Sequence, residues 1–204
     1  MWGARANPDV TASPFVMSMV RGAGANIHGF CEGRQNPGGD DVGMVVMEML
    51  STTLGRSWAH IGRTLVKDVA ADGTVNRCAN PRASYNPLTG KLWLDWSWFA
   101  RDGSGAFGLR AIYRDDRDGK WYGPNGEFVP GSGIANTFNL SALTQPGWKR
   151  ILSGPGAGDL GTDGKLYIPI WYEHPQYETY GTAVARLNDD GTATMIWYLS
   201  LIHI

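Results

Sequence analysis

The hydrophobic residues of this chain fall in short runs that are separated by polar, turn-forming residues. Turn sequences such as "NPLTG", "RDGSG" and "NDDG" recur along its whole length, and they mark places where the backbone reverses direction. Between two such turns, aromatic and polar residues alternate in "KLWLDWSW", which is typical of a half-buried strand. We therefore predict short antiparallel strands over Ile27–Glu32, Val42–Leu50, Ser84–Asn86 continuing after a turn into Lys91–Phe99, Leu109–Arg114, Lys165–Tyr172 and Thr182–Leu187.

One of these runs, Val42–Leu50, fits two kinds of secondary structure. Its apolar residues could form a continuous buried strand. They also fit one face of a helix for which Asp41 would be the N-cap. The periodicity alone leaves both structures open.

Composition supports a structure of many strands and turns. The 204 residues include 28 Gly, nine Trp and eight Tyr, and this length suits one domain. The formal net charge of −1 does not favour binding to nucleic acid or to an anionic membrane. No apolar run approaches the roughly 20 residues of a membrane-spanning helix, and the N-terminal residues lack the apolar core of a secretory signal. Cys31 and Cys78 could pair, but we predict that both are buried free thiols.

The stretch "STTLGRSW", Ser51 to Trp58, predicts a tight turn with a structural role. Gly55 allows a positive φ, the hydroxyls can bond nearby backbone amides, and Trp58 can pack beneath the turn. The stretch fits the pattern Ser-x-Asp-x-Gly-x-Thr-Trp with Thr53 in the Asp position and Ser57 in the Thr position. The later stretches "RDDRDGKW" and "LNDDGTAT" are partial copies of the same pattern. A repeated strand–turn–strand signature predicts an array of antiparallel sheets such as a β-propeller.

Three further stretches, in the same order along the chain, resemble the exo-α-sialidases. "FCEGRQNPGGDD", Phe30 to Asp41, is similar to their Phe-x-Glu-x-Arg stretch before the loop of the catalytic Asp. "NPRASYNPLTGKLWL", Asn80 to Leu94, resembles their Asn-Pro stretch and hairpin. "GPGAGDLGTDGKLYIP", Gly154 to Pro169, resembles their Gly-Pro-Gly-x-Gly turn and the strand that follows. The resemblance extends over roughly Phe15 to Leu199.

This resemblance implies an all-β fold, the six-bladed β-propeller of the sialidases, in which the repeated turns are Asp-boxes (BNR repeats). It also favours a strand over Val42–Leu50. Sialidases remove terminal sialic acids with retention and use a Tyr nucleophile. An Asp acts as general acid/base, a Glu assists the Tyr, and three Arg side chains bind the sugar carboxylate. The implied substrate is a sialylated glycan, no cofactor is implied, and an extracellular or periplasmic location is favoured for the parent protein.

The resemblance also suggests site residues at the first two motifs. The general acid/base would be Asp40 or Asp41, although two Asp residues after Gly-Gly equally suit a turn or a helix cap. Arg34 would lie beside the sugar with Glu32 orienting it, and both could instead be ordinary surface residues. Asn80 would face the pocket at the start of its strand, or serve only as a turn residue before Pro81.

Two aromatic residues complete the predicted site. Trp171 and Tyr172 follow Pro169, where the family has an aromatic wall around the sugar. Packing in the hydrophobic core is the alternative role for both of them.

The chain departs from the family pattern in two ways. Phe15 or Val16 stands where the family has the first Arg that binds the carboxylate. The assisting Glu, the other two Arg and the nucleophilic Tyr belong to later blades of the family. We therefore expect about three blades over residues 1–199, a non-native tail over 200–204, and no sialidase activity from this piece alone.

Other functions agree less well with the sequence. A propeller glycosidase of another specificity, or a noncatalytic carbohydrate-binding propeller, would share the same turns. "GPGAGDLG" lacks the strand–helix context of a phosphate-binding loop, and a Gly-x-Ser-x-Gly motif for a serine hydrolase is missing. The four His residues have no metal-ligand spacing, so we expect no metal.

Overall fold

The chain folds into antiparallel sheets, as seen in a computed structural model that describes residues 15–36, 40–154, 156–174 and 179–198. No α-helix occurs in these ranges, and the only helical segments there are two 3-10 turns at Ile134–Asn136 and Ser141–Leu143. None of the helical segments described is long and apolar enough to cross a membrane. The predicted all-β class is confirmed.

The strands form three antiparallel meanders, each with four main strands in sequence order, and one parallel pair, Met44 with Arg77, joins the first two meanders. Meander 1 contains β1 (Phe15–Arg21), β2 (Ile27–Arg34), β3 (Met44–Ser51) and β4 (Ala59–Val66). Meander 2 contains β5 (Arg77–Asn86), β6 (Lys91–Phe99), β7 (Phe107–Asp115) and β8 (Lys120–Gly123), with the short β9 (Gly126–Glu127) and β10 (Phe138–Asn139) at its outer edge. Meander 3 contains β11 (Arg150–Ser153), β12 (Asp159–Leu160), β13 (Leu166–His174), β14 (Thr179–Leu187) and β15 (Ala193–Tyr198), and both β11 and β12 pair with β13.

The segment that fitted both helix and strand is strand β3. It pairs with β2 on one side and with β4 on the other, and all eight of its residues are buried. A central strand that is covered on both faces has no polar face to show, so its apolar run is continuous. This explains why periodicity could not distinguish the two structures.

The meanders pack face to face with two hydrophobic cores between them. Phe30 and Leu65 of meander 1 pack against Trp96 and Trp121 of meander 2. The other face of meander 2 packs against β13 and β14 of meander 3, with Trp93 in that second core. The predicted free thiols are confirmed, because Cys31 and Cys78 are unpaired and buried.

The turn at residues 51–58 has the predicted geometry. The buried Ser51 Oγ accepts hydrogen bonds from the amides of Thr53 (3.3 Å) and Gly55 (2.8 Å). Thr53 Oγ1 accepts a bond from the Ser57 amide at 2.8 Å, and Gly55 has a φ of 83°. Trp58 is half-buried next to Gly55. The turn therefore joins β3 to β4 through these local bonds, and the Leu54 amide ties it to the Ala25 carbonyl at 3.0 Å, which agrees with a structural role.

The predicted tail over residues 200–204 lies outside the described residues. So do the side chains of Phe15 and Val16, although the backbone of both belongs to β1.

Candidate functional site

Side chains from all three meanders line a cavity of about 350 Å³, a volume in the range of small-molecule sites. The cavity lies where β2 ends and where β5 and β11 begin. We call it the first cavity. Its lining contains five of the seven residues suggested by the sequence, namely Glu32, Arg34, Asp40, Asn80 and Trp171, together with Met44, Arg77, Ala79, Phe99, Arg150, Leu152 and Tyr180.

A β-bulge in strand β5 positions Asn80. The pairing with β6 shifts between Ala79 and Arg82, so two residues of β5 stand opposite one residue of β6. Asn80 has a φ of 52°, a left-handed conformation that Asn tolerates better than most residues. Pro81 has no N–H to donate to the ladder, which suits a bulge. The bulge turns Asn80 away from β6 and towards the first cavity.

The buried carboxylate of Glu32 joins the bulge to Arg34. Its Oε1 accepts the Asn80 amide at 2.7 Å, and its Oε2 accepts Nε (3.2 Å) and Nη2 (3.0 Å) of Arg34. Burial raises the pKa of Glu32, while the bonds from Asn80 and Arg34 act in the opposite direction. Glu32 itself is 2% exposed. It is therefore suited to orienting its two neighbours.

Arg34 also contacts Asp40, the more accessible acid of the cavity. Nη2 of Arg34 lies 3.1 Å from Oδ1 of Asp40, and the Asp40 side chain is 85% exposed. The structure places Asp41 away from the cavity lining, with a fully exposed side chain whose Oδ1 lies 3.2 Å from Nη1 of Arg77. The same Arg77 nitrogen donates to the Asp40 carbonyl at 2.7 Å. Of the two acids, Asp40 alone faces the first cavity.

The two predicted aromatic residues lie on opposite faces of β13. Trp171 is 39% exposed, lines the first cavity and packs at an angle against Tyr180. Tyr172 points into the core and stacks on Trp148 with ring centroids 4.0 Å apart. Its cross-strand partner is Gly181, where a Cβ would come within 2.1 Å of the Tyr172 ring. Because neighbouring strand residues face opposite ways, Tyr172 supports the cavity wall from behind and does not form it.

Sequence reasoning missed four prominent residues of the cavity: Arg77, Phe99, Arg150 and Tyr180. Arg77 and Arg150 are the first residues of β5 and β11, and Phe99 is the last residue of β6. Both guanidinium groups lie over the Phe99 ring, at 5.0 Å and 5.7 Å from its centroid. The sequence did contain one clue to these residues: the end of one antiparallel strand and the start of the next lie at the same edge of a sheet, so Arg77 and Phe99 are expected to be neighbours. The sequence did not reveal which ends would meet across meanders.

A metal site is not indicated in the part of the chain that the structure describes. No group of three or more His, Cys, Asp or Glu side chains is arranged there to hold an ion. The polar and aromatic groups that line the first cavity are carboxylates, guanidinium groups, one side-chain amide and aromatic rings. Such a set can bind a polar, anionic or hydroxylated ligand and can transfer a proton.

Comparison with known proteins identifies the fold. No protein-family model and no curated protein sequence matches the chain. Among solved structures, a Hadza microbial sialidase superposes with a TM-score of 0.72 and 18% identity over 91% of this chain and 38% of its own. The Trypanosoma rangeli sialidase in complex with the inhibitor DANA gives a TM-score of 0.69 and 17% identity over 92% of this chain and 31% of its own. The chain has the sialidase fold.

The same architecture also occurs in glycosidases of other specificity. The endo-1,5-alpha-L-arabinanase from Thermotoga petrophila matches with a TM-score of 0.57 and 21% identity over 89% of this chain and 41% of its own. This chain spans about a third of the length of the two sialidases. At these identities the likeness describes the fold, and the resemblance to sialidases found in the sequence motifs is confirmed at that level.

Proposed function

We propose that this chain is part of a glycosidase that removes terminal sialic acids from glycoconjugates. In this proposal the three meanders are three blades of a six-bladed propeller, with their repeated turns as Asp-boxes, and the first cavity is part of the sugar site. The observation that carries the proposal is the meeting of Arg34, Asp40 and Asn80 at one cavity. These residues come from two different meanders and were selected from sequence motifs alone.

Each residue has a role that suits its surroundings. Asp40 is the general acid/base, because it is the accessible carboxylate of the cavity and Arg34 lies 3.1 Å away. Arg34 and Asn80 bind polar groups of the sugar, and Glu32 holds both of them in position. Trp171 forms an apolar wall beside them. The catalytic Tyr and the remaining carboxylate-binding Arg residues belong to the rest of the parent protein.

Binding of a sialoside to the chain tests this proposal. We expect the methyl α-glycoside of N-acetylneuraminic acid to shift the NMR signals of the Asn80 amide and the Trp171 indole. Asn80→Gly should weaken binding about tenfold, because it removes hydrogen bonds to the sugar while Gly accepts the positive φ. Asn125→Gly, in an exposed turn away from the cavity, is the matched control and should bind normally.

Titration with a second ligand distinguishes a sialidase site from an arabinanase site, since both kinds of enzyme share this architecture. Arabinotriose in place of the sialoside should leave both signals unchanged. Shifts with arabinotriose alone would contradict the sialidase proposal and favour an arabinanase-like site, as the match to the Thermotoga petrophila enzyme allows. If neither sugar moves either signal, the first cavity is not a sugar site.

A further inference from the structure

A second cavity adjoins the first and has a different chemical character. Its volume is about 280 Å³, and it shares Arg77, Phe99 and Arg150 with the first cavity. Lys149 and the β6–β7 turn, including Gly105, complete its lining. Three of its lining residues are cationic, and none of the described residues that line it is acidic.

The cations keep hydrogen-bonding capacity that no described protein group uses. Lys149 donates to Oε1 of Glu173 at 2.6 Å, and Arg150 donates through Nε to the other oxygen of the same carboxylate. Arg77 uses Nη1 for the Asp40 carbonyl and the Asp41 carboxylate, while its buried Nε has no acceptor in the described residues. A guanidinium group has five N–H donors, so both Arg side chains retain donors for a ligand.

The guanidinium groups of Arg77 and Arg150 both contact the ring of Phe99. Both lie over its ring at the distances of cation–π contacts. Packing on the ring restricts the side chains before any ligand arrives, which lowers the entropic cost of binding. Both side chains line the second cavity, so an anion bound there is attracted by each of the two positive charges.

We propose that the second cavity is a subsite for an oxyanion, a carboxylate or a sulfate ester, carried by a neighbouring sugar of the bound glycan. Because the two cavities share three residues, a glycan seated in the first cavity can extend directly into the second. Arg77 and Arg150 then bind the oxyanion through charge-assisted hydrogen bonds, and Lys149 adds a third positive charge. The inference rests on the proposed function for its choice of a glycan as the ligand.

Single charged sugars test the subsite without requiring a complete substrate. D-glucuronate, D-glucose 6-sulfate and neutral D-glucose are titrated at constant ionic strength, and the amide signals of Ala100 and Ala106 are followed. We expect one or both anionic sugars to shift these signals and D-glucose to leave them in place. The anion that binds more tightly shows whether the subsite takes a carboxylate or a sulfate.

Three variants show whether the cations of the second cavity are responsible. Lys149→Gln and Arg150→Gln should each weaken binding of the anionic sugar about tenfold, as expected for loss of a charged hydrogen bond. The Lys149 side chain is 56% exposed, so its replacement leaves folding intact. Arg110→Gln is the matched control, since Arg110 also lies over an aromatic ring, that of Trp98, but lines neither cavity.

The outcomes separate this subsite from the proposed function. The subsite proposal is overturned if neither anion shifts Ala100 or Ala106, if D-glucose shifts them equally, or if Arg110→Gln weakens binding as much as Arg150→Gln. The sialoside experiment reports on Asn80 and Trp171 in the first cavity. If the sialoside does not bind in the first cavity but the anionic sugars still bind beside Lys149, the sialidase assignment is wrong and the oxyanion site remains.

Discussion

Aspartate side chains shape the tight turns of this chain, and at this scale the sequence is a good guide to structure. In all five Asp-Gly pairs the Asp Oδ1 accepts the amide of the residue two positions later. The Gly that follows has a φ between 73° and 86°. The hydrogen bond from the backbone amide to Asp Oδ1 is the reason why Asp is favoured at the start of a turn, and the Gly supplies the left-handed conformation. The pairs are Asp72-Gly73, Asp102-Gly103, Asp118-Gly119, Asp163-Gly164 and Asp190-Gly191.

Asp115 provides a prediction about pH at the scale of one residue. The side-chain hydrogen bond from Arg117 lowers the pKa of Asp115 from 3.8 to about 2. A carboxyl group whose pKa is lower in the folded state stabilises the fold above its unfolded pKa, and this contribution is lost as the pH falls towards 2. Asp115→Asn should therefore cost up to about 1 kcal/mol of unfolding free energy at pH 7, since Arg117 is 75% exposed and the pair is screened by water.

Urea denaturation between pH 7 and pH 2.5 measures this effect. The difference between wild type and Asp115→Asn should shrink steadily below about pH 4. Arg117→Gln should show the same pH dependence, because it removes the other partner. A loss of stability that stays constant down to pH 2.5 would mean that the charge of Asp115 is not what stabilises the turn.

At the scale of strands, meander 2 contains a buried ion pair that also accepts a hydrogen bond from meander 3. Arg82 on β5 donates to Asp95 on β6 through Nε (3.0 Å) and Nη2 (2.7 Å). Ser153 on β11 donates to the same carboxylate at 2.7 Å. Burial raises the pKa of Asp95, whereas Arg82 and Ser153 act to lower it. Arg82 and Asp95 are the first residues paired after the bulge that carries Asn80, so the ion pair fixes the strand on that side of the candidate site.

Removing one member of this pair should be far more costly than replacing both. Asp95→Ala leaves the Arg82 charge buried and uncompensated, which typically costs about 3–5 kcal/mol. The double variant Arg82→Met with Asp95→Leu should recover most of that loss, because no buried charge then remains. Unfolding free energies from urea titrations of the single and double variants test this. A double variant that is less stable than Asp95→Ala would show that the ion pair itself stabilises the fold.

The same strands show which features of the site can be predicted from sequence. Strand alternation predicts that only one of Trp171 and Tyr172 faces the cavity, but Gly181 on the neighbouring strand decides which one. Asn-Pro in a strand suggests a bulge, while the acceptor for the freed Asn80 amide is Glu32 of another meander. Arg77 and Arg150 carry no local motif. Their role depends on packing between sheets, which no local pattern encodes.

The partial copies of the turn pattern show a similar limit. In "RDDRDGKW" the residue in the Asp position, Asp116, has its Oδ1 3.5 Å from Nε of Arg114 and accepts the amide of Ala23 in meander 1 at 2.7 Å. The Lys120 amide of the turn donates to Asp118. In "LNDDGTAT" the carboxylate that bonds the turn belongs to Asp190, one residue after the Asp189 of the aligned pattern. The alignment identified turns correctly, but the atoms that stabilise each turn differ.

For the molecule as a whole, the candidate site depends on the packing of the three meanders against one another. The edge strand of meander 3 exposes apolar side chains. Ile196, Trp197 and Tyr198 on the edge strand β15 are 49%, 51% and 44% exposed. Exposed edge strands with apolar side chains tend to pair with other chains. Any measurement of activity should therefore use a sample that is monodisperse by size-exclusion chromatography.

The activity of the 204-residue chain is the last prediction. Cleavage of a sialoside requires a positioned carboxylate, a nucleophile and a general acid/base. In the proposed function this chain supplies Asp40 as the acid/base, and the nucleophilic Tyr belongs to the rest of the parent protein. An acid/base alone contributes only about 10²- to 10⁴-fold to the rate, whereas enzymes reach about 10⁶-fold and far beyond. We therefore expect no release of 4-methylumbelliferone from its sialic acid glycoside above background, even where the sialoside binds. Fluorescence assays of the wild type and Asp40→Ala, with Asp41→Ala as the matched control, decide the matter. Release that is lost in Asp40→Ala and retained in Asp41→Ala would show that this chain alone contains a complete catalytic site.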